Sequence, residues 1–219
     1  MTPAEQLALW ADKLRDISAM ALLFTQNLYD QDHYRAVQTI AMEMLALAGG
    51  QSFDQIEPLR GPIFSRPTPI ASGDAAVIDD QGQILLIRRA NNGQWAMPGG
   101  ALEVGETPAE GVVREALEET GIHCRPVALV GVFDSRLCGG TASRFHLYQL
   151  LFLCEPLSHE PAAPPTHSVE VLDAAWFRED DLPEPLDPNH RTRIPEAFRV
   201  WHGDSRAFFD ANSTGDGVR

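Results

Sequence analysis

Residues 107 to 121 read TPAEGVVREALEETG, and this stretch carries its own start and stop. Thr107 is a helix-capping residue, Pro108 suits the first helical position, and Glu110 can reach back to complete a capping box. Gly121 supplies the left-handed residue at which helices commonly end. The pattern predicts a helix over about residues 108 to 120. At about 100° per residue, Val113, Ala116 and Leu117 lie on one side, while Glu115, Glu118 and Glu119 fall within an arc of about 100° opposite. Carboxylates three and four apart on a helix repel one another. They also stand near the helix C-terminus, where the dipole disfavours negative charge. Arg114 is the one basic residue beside them. An acidic helix face is usually a solvated face, but that reading leaves both penalties standing. A hard divalent cation removes them, because Mg²⁺ takes a few carboxylates and completes its shell with water and substrate phosphates. No His or Cys lies near enough in sequence to suggest zinc.

The surroundings are β-rich. "AAVID" and "QILLIRR" are short strand-like runs separated by Asp79-Asp80-Gln81-Gly82, a hairpin signal. "GQWAMPGG" is a further extended piece ending at Gly99-Gly100, and "VALVGVFD", "FHLYQLLFLCE" and "VEVLDAAWF" read as strands. A Pro-rich loop separates the last two, and "NHRTRIPEAFRVWH" reads as a closing helix. Trp95 and Trp176 occupy β-core positions, and Tyr148 and Phe152 share one strand face.

Upstream the period changes. Thr2 and Pro3 start a helix in which Leu7, Trp10, Leu14, Ile17, Ala21, Phe24 and Leu28 form one apolar stripe. A second stripe, Tyr34, Val37, Ala41, Met44 and Ala48, stops at Gly49-Gly50. Residues 1–50 thus read as a helical hairpin with an apolar seam, to be buried against the chain or against another copy. Residues 51–69, with Pro58, Gly61, Pro62 and Pro67, read as a linker. Residues 70–210 form the main domain and residues 211–219 a flexible tail. The fold class is α+β.

Composition sets outer bounds. The 219 residues are 44% hydrophobic and 22% charged, as in ordinary globular proteins. A formal net charge of −14 argues against non-specific nucleic-acid binding. Cys124, Cys138 and Cys154 are widely spaced and read as reduced thiols. Charges within the first 25 residues exclude a signal peptide, and no apolar run is long enough to span a bilayer. The expectation is a cytoplasmic protein that binds neither nucleic acid nor membrane. The histidines show no metal-ligand spacing.

From Gly100 the chain reads Gly, five residues, Glu106, seven residues, then Arg114-Glu115-Ala116-Leu117-Glu118-Glu119-Thr120-Gly121-Ile122. This resembles the Nudix box, the signature of hydrolases acting on nucleoside diphosphates linked to another moiety. Every fixed position is filled. Ala116 is smaller than the aliphatic the family more often has, which touches packing and not chemistry. The resemblance covers about residues 70 to 180. It implies a Nudix α/β/α sandwich with a mixed sheet, in which Glu115, Glu118 and Glu119 hold Mg²⁺ or Mn²⁺, joined by the backbone carbonyl of Gly99. Arg114 would orient these carboxylates, and Glu106 would serve as an outer-shell acid. The N-terminal hairpin is similar to helices that precede the box in a bacterial subgroup acting on X-linked nucleoside diphosphates, including ADP-ribose and CDP-choline.

The resemblance therefore implies a metal-dependent diphosphatase that splits such a substrate into a nucleoside monophosphate and X-phosphate. Two alternatives are a house-cleaning nucleoside triphosphate pyrophosphohydrolase and a non-catalytic nucleotide sensor. Complete box carboxylates count against the sensor, and the hairpin counts mildly against the triphosphatase. A diphosphate needs cations held from more than one direction, and the family often draws a further acid from a loop before the last core strand. Among Glu160, Glu170 and Asp173, Glu170 is the expected additional catalytic acid, beside Arg114, Glu118 and Glu119. An exposed two-helix apolar seam would be an unusually large patch, so the hairpin is expected to dimerise the protein.

Overall fold

The computed structural model describes residues 2–65, 70–135, 137, 147–161 and 169–210. They fall into two compact units. One is built on the N-terminal helices with the loop 103–106, and the other on the strands and the two later helices.

In the first unit α1 (Pro3–Phe24) and α2 (Leu28–Gly49) form the expected hairpin. The Asn27 side chain caps α2 by accepting from Tyr29 N, and Gly50 closes it in the left-handed conformation, φ 63°. The packed seam follows the predicted apolar stripes in part, with Ala41 buried and Leu14 packed against the same cluster. Ala11, Ser18, Gln38, Ala41, Met42 and Ala46 are buried, whereas Trp10, Ile17, Phe24 and Leu28 are exposed. Small residues let the two helices approach closely and turn the larger ones outward. The expected linker is likewise corrected. Over its described residues it forms the short helix α3 (Phe53–Ile56), a 3₁₀ turn (Glu57–Leu59) and a π turn (Arg60–Phe64). Ile56 and Phe64 pack against Ala41, Met42 and Ala46, and Gln38 Nε2 donates to the Phe64 carbonyl at 2.8 Å. Pro58 sits at the start of a helical turn, a position that tolerates its missing N–H.

The second unit carries the strands β1 (Ile70–Val77), β2 (Gln83–Arg89), β3 (Trp95–Ala96), β4 (Gly99–Ala101), β5 (Cys124–Asp134), β6 (Leu147–Pro156), β7 (Val171–Arg178) and β8 (Phe208–Phe209), with helices α4 (Pro108–Thr120) and α5 (Pro188–Trp201). A five-stranded sheet runs β4-β1-β6-β5-β8, and a three-stranded sheet runs β3-β2-β7. The larger sheet is mixed, since β1 pairs β6 in parallel and β4 antiparallel. β1 and β2 do not make the simple hairpin expected of them. They touch through one Ile78–Ile84 bridge and then part into different sheets.

Strand alternation on β1 builds a three-layer sandwich. Ala75 and Val77 face Val112 and Ala116 of α4, while Ala76 and Ile78 face Ile194, Ala197 and Phe198 of α5. Trp95 belongs to the α5 side and meets Phe177 edge-on, with ring centroids 4.9 Å apart. Cys124 and Cys154 are buried free thiols, while Cys138 and the tail 211–219 lie outside the described residues. Among the described residues no helix is long and apolar enough to cross a membrane.

Candidate active site

Local rules place α4 as the sequence predicts. Thr107 Oγ accepts from Glu110 N while the Glu110 side chain accepts from Thr107 N, and Gly121 ends the helix at φ 74°. The orientation about the helix axis is rotated from expectation. Val112 and Ala116 form the buried stripe, Glu115 and Glu119 are buried beside them, and Val113 and Leu117 are half-buried. Two of the three carboxylates therefore stand on the border of the core and not on a solvated face.

The glutamates are held from two sides. Arg114 Nη1 donates to Glu115 Oε1 at 2.8 Å and to Glu118 Oε2 at 3.1 Å, while Nη2 donates to the Ala101 carbonyl at 3.3 Å. On the other side Gly99 N donates to Glu119 Oε2 at 2.8 Å. The glycine pair makes this approach sterically open. A Cβ on Gly100 would stand 2.6 Å from Glu115 Oε1, and one on Gly99 would stand 2.8 Å from Asp74 Oδ1. Burial pushes the Glu119 carboxyl up to about 7. The Gly99 N–H and Arg89 pull it back, and Glu115 and Asp74 push it further up.

Glu119 opens into a cleft of about 610 Å³ that is also lined by Arg89, Ala90, Asn91, Gly99, Val169 and Glu170. Glu170 is exposed at its rim, and its carbonyl accepts from Ala90 N at 2.8 Å. The other two acids considered with it stand elsewhere. Glu160 closes a small turn with Ser158 Oγ, and exposed Asp173 Oδ1 accepts from the adjacent Ala174 N. Glu106 Oε1 accepts from Glu103 N at 2.7 Å within the loop before α4.

Several polar residues of the site are not evident from the sequence patterns. Asp74, in the middle of a buried strand, pairs with the fully buried Arg193 of α5. Arg89 Nη1 donates to Asp187 Oδ2 at 2.9 Å, and Met97 N donates to His190 Nδ1 at 3.1 Å. Burial holds the His190 imidazole well below its ordinary range, with the Arg193 and Arg89 charges acting the same way. Asp74 was detectable in principle, because a charge inside an apolar run demands a buried partner. Asp187-Pro188 is a capping pair just before the helix that the apolar pattern begins at Asn189.

A second acidic group lies in the turn after β1. Ligand-type atoms of Asp79, Asp80 and His159 lie within 4.8 Å of one another. Asp79 Oδ1 already accepts from Gln81 N at 2.9 Å and from Gln83 N at 2.7 Å, so that carboxylate is a turn-forming side chain.

With the geometry established, comparison identifies the protein's relatives. Residues 69–197 match the NUDIX domain family model. The chain belongs to the Nudix hydrolase family. Residues 5–59 match a second model, described as a UDP-X-like N-terminal oligomerisation domain. The Bacillus subtilis protein YjhB, whose name provisionally assigns it as an ADP-ribose pyrophosphatase, is 32% identical over 203 residues, spanning 91% of this chain and 95% of that protein. The ADP-ribose pyrophosphatase of Methanocaldococcus jannaschii is 35% identical over 130 residues, spanning 58% of this chain and 72% of its own length. Among solved structures, a UDP-X diphosphatase covers 94% of this chain and 98% of its own at 24% identity, with a TM-score of 0.56. That is a likeness of fold, Nudix hydrolase core and N-terminal helices together. Nudix hydrolases generally use divalent metal ions, and the residues here fit such an ion. Buried Glu119 is repelled by Glu115 and Asp74, and a cation relieves that cost.

Proposed function

We propose that this Nudix hydrolase splits the pyrophosphate bond of a nucleoside diphosphate joined to a second moiety, such as ADP-ribose or CDP-choline. The products are a nucleoside monophosphate and the phosphorylated second moiety. The observation that carries the reading is Glu119, a buried and unneutralised carboxylate beside Glu115, opening with Arg89 and Glu170 into one cleft. Glu115, Glu118 and Glu119, with the Gly99 carbonyl, would hold Mg²⁺ or Mn²⁺. The bound ion would neutralise phosphate charge and lower the pKa of water. Arg114 orients Glu115 and Glu118 through charge-assisted hydrogen bonds. Glu170 and Glu119, which line one cleft, would accept a proton from attacking water.

The ADP-ribose pyrophosphatase names of YjhB, which spans 91% of this chain, and of the Methanocaldococcus jannaschii protein support this substrate class. A panel of nucleoside diphosphate derivatives and triphosphates, with product identification and with or without divalent metal, tests it. Monophosphate release from the X-linked substrates in metal is the expected result. Preference for triphosphates would replace the reading, and binding without hydrolysis would make the protein a sensor.

The helical hairpin is proposed as a dimerisation element, with the hydrolase domain over residues 70–210. Trp10, Ile17, Phe24, Leu28, Tyr29 and Leu47 are exposed on the helices that match the oligomerisation model. Light scattering should report a dimer at micromolar protein, and a monomer there would reject the element's role.

A further inference from the structure

The turn after β2 is tied by hydrogen bonds that leave Asn91 out. Arg89 N donates to the Gln94 carbonyl and Gly93 N to the Arg89 carbonyl, each at 2.9 Å. Asn92 Oδ1 accepts from Gln94 N at 2.9 Å, and Arg88 Nε donates to the Gly93 carbonyl at 3.1 Å. Closing a turn is the usual work of an asparagine beside a glycine, and here Asn92 performs it. Asn91 is exposed and lines the cleft with Glu119 and Glu170. Its amide enters no hydrogen bond among the described residues. A tied loop thus presents an uncommitted amide to the cleft. Val169 stands with it. Ala90 N donates to the Glu170 carbonyl at 2.8 Å where β2 and β7 meet, and Asn91 and Val169 are the next residues outward on the two chains. Val169 is 87% exposed and lines the same cleft. Glu119 and Glu170 serve the proposed reaction. A neutral amide, which both donates and accepts, and an apolar branched side chain match an uncharged organic group instead.

We infer that Asn91 is a specificity-determining residue, whose amide hydrogen-bonds an uncharged polar group on a moiety adjoining the diphosphate while Val169 packs against that moiety. The inference rests on the diphosphatase reading above. The edge of a nucleobase and the hydroxyl of a sugar offer an amide the same donor and acceptor chemistry, and varying one at a time separates them. The hydrogen bonds of the turn fix where the amide stands before substrate arrives, so little ordering of the loop is left for binding to supply.

Steady-state kinetics of the full-length protein in Mg²⁺ on two substrate series test this. One series varies the base with the second moiety fixed, and the other varies the second moiety with the base fixed. Asn91→Ala should lower kcat/KM for the best member of one series by about three- to tenfold, the worth of a neutral hydrogen bond, chiefly through KM. The worst members of that series should change little, so the spread narrows, and the series that narrows names the moiety Asn91 reads. Asn91→Gln, which keeps the amide, should retain more of the spread, and Val169→Ala should raise KM in the same series. The melting temperature of Asn91→Ala should equal that of the parent protein, because Asn91 holds no part of the turn. An unchanged spread in both series, or an equal loss for every member, would overturn the inference. X-linked substrates hydrolysed with either result would leave the diphosphatase reading intact and remove Asn91's role alone. If no X-linked substrate is hydrolysed, that reading fails, and calorimetric affinities of the same two series for the parent protein and Asn91→Ala decide Asn91 by the same narrowing.

Discussion

Glu115, Glu118 and Glu119 on α4 and the Asp79–Asp80 pair in the turn after β1 are both dense in carboxylate, yet they handle their charge in opposite ways. Asp79 is buried, and the chain satisfies it locally with the Gln81 and Gln83 N–H groups. Its neighbour Asp80 is exposed to water. On α4 Glu115 is paired with Arg114, but Glu119 receives less than it needs. Glu119 has one backbone donor, and Glu115 and Asp74 raise its pKa. Hydrogen bonds that close a turn make an acid structural, whereas residual repulsion in a cleft makes it chemically useful. Counting carboxylates does not separate the two cases, and following their hydrogen bonds does.

The largest effect should come from Glu119→Gln. The amide keeps the oxygen that Gly99 N meets and removes the charge, so turnover in saturating Mg²⁺ should drop by roughly a hundredfold to a thousandfold or more. An active variant would erase the distinction just drawn. Glu170→Gln should come next, lowering kcat by about a hundredfold while changing KM much less. Equal activity would return Glu170 to the status of a rim side chain.

The pH dependence of stability without metal sharpens the same contrast. Glu119 in the folded chain titrates at about 7 against an unperturbed value of 4.5. A raised carboxyl pKa means that the folded state holds the proton more tightly, so stability is greatest in acid and declines as pH rises from about 4.5 through 7. From the shift the decline is up to about 3 kcal/mol. Chemical denaturation in a chelator across that range should show it, and Glu119→Gln should flatten it. Divalent metal should restore stability above neutral pH, where the ligand is deprotonated.

The turn should answer differently. Asp79→Ala leaves two N–H groups without their acceptor and should cost about 1–3 kcal/mol by denaturation, with turnover of the folded fraction unchanged. Asp80→Asn should change stability by no more than about 0.5 kcal/mol and leave metal-dependent activity alone. A metal requirement that moved with Asp80 would place a functional ion at the turn.

The helix of the site was legible because its boundaries are local. Thr107, Pro108, Glu110 and Gly121 encode caps that act within a few residues, and all of them act as read. Its rotation was less legible, since the sheet decides it: Val112 fills the space that the absent side chain of Gly73 leaves open. The packing between the two N-terminal helices was legible only in part, for a related reason. Apolar periodicity finds the large residues, while close helix packing selects small ones such as Ala11, Ser18 and Ala46. The polar layer behind the cleft was out of reach. Arg89 and Asp187 are 98 positions apart and Asp74 and Arg193 are 119 apart, and no local pattern records such pairs.

Met97 has two employments. Its side chain is fully buried among Trp95, Ile194 and Phe198, and its N–H decides which nitrogen of His190 bears a proton. A main-chain group cannot be mutated away except by proline, so the hydrogen bond survives nearly any substitution in kind but not in position. A smaller side chain at 97 would leave a void, and the strand would settle toward it. Drift in the oily interior is thereby read out as a change in where a proton sits.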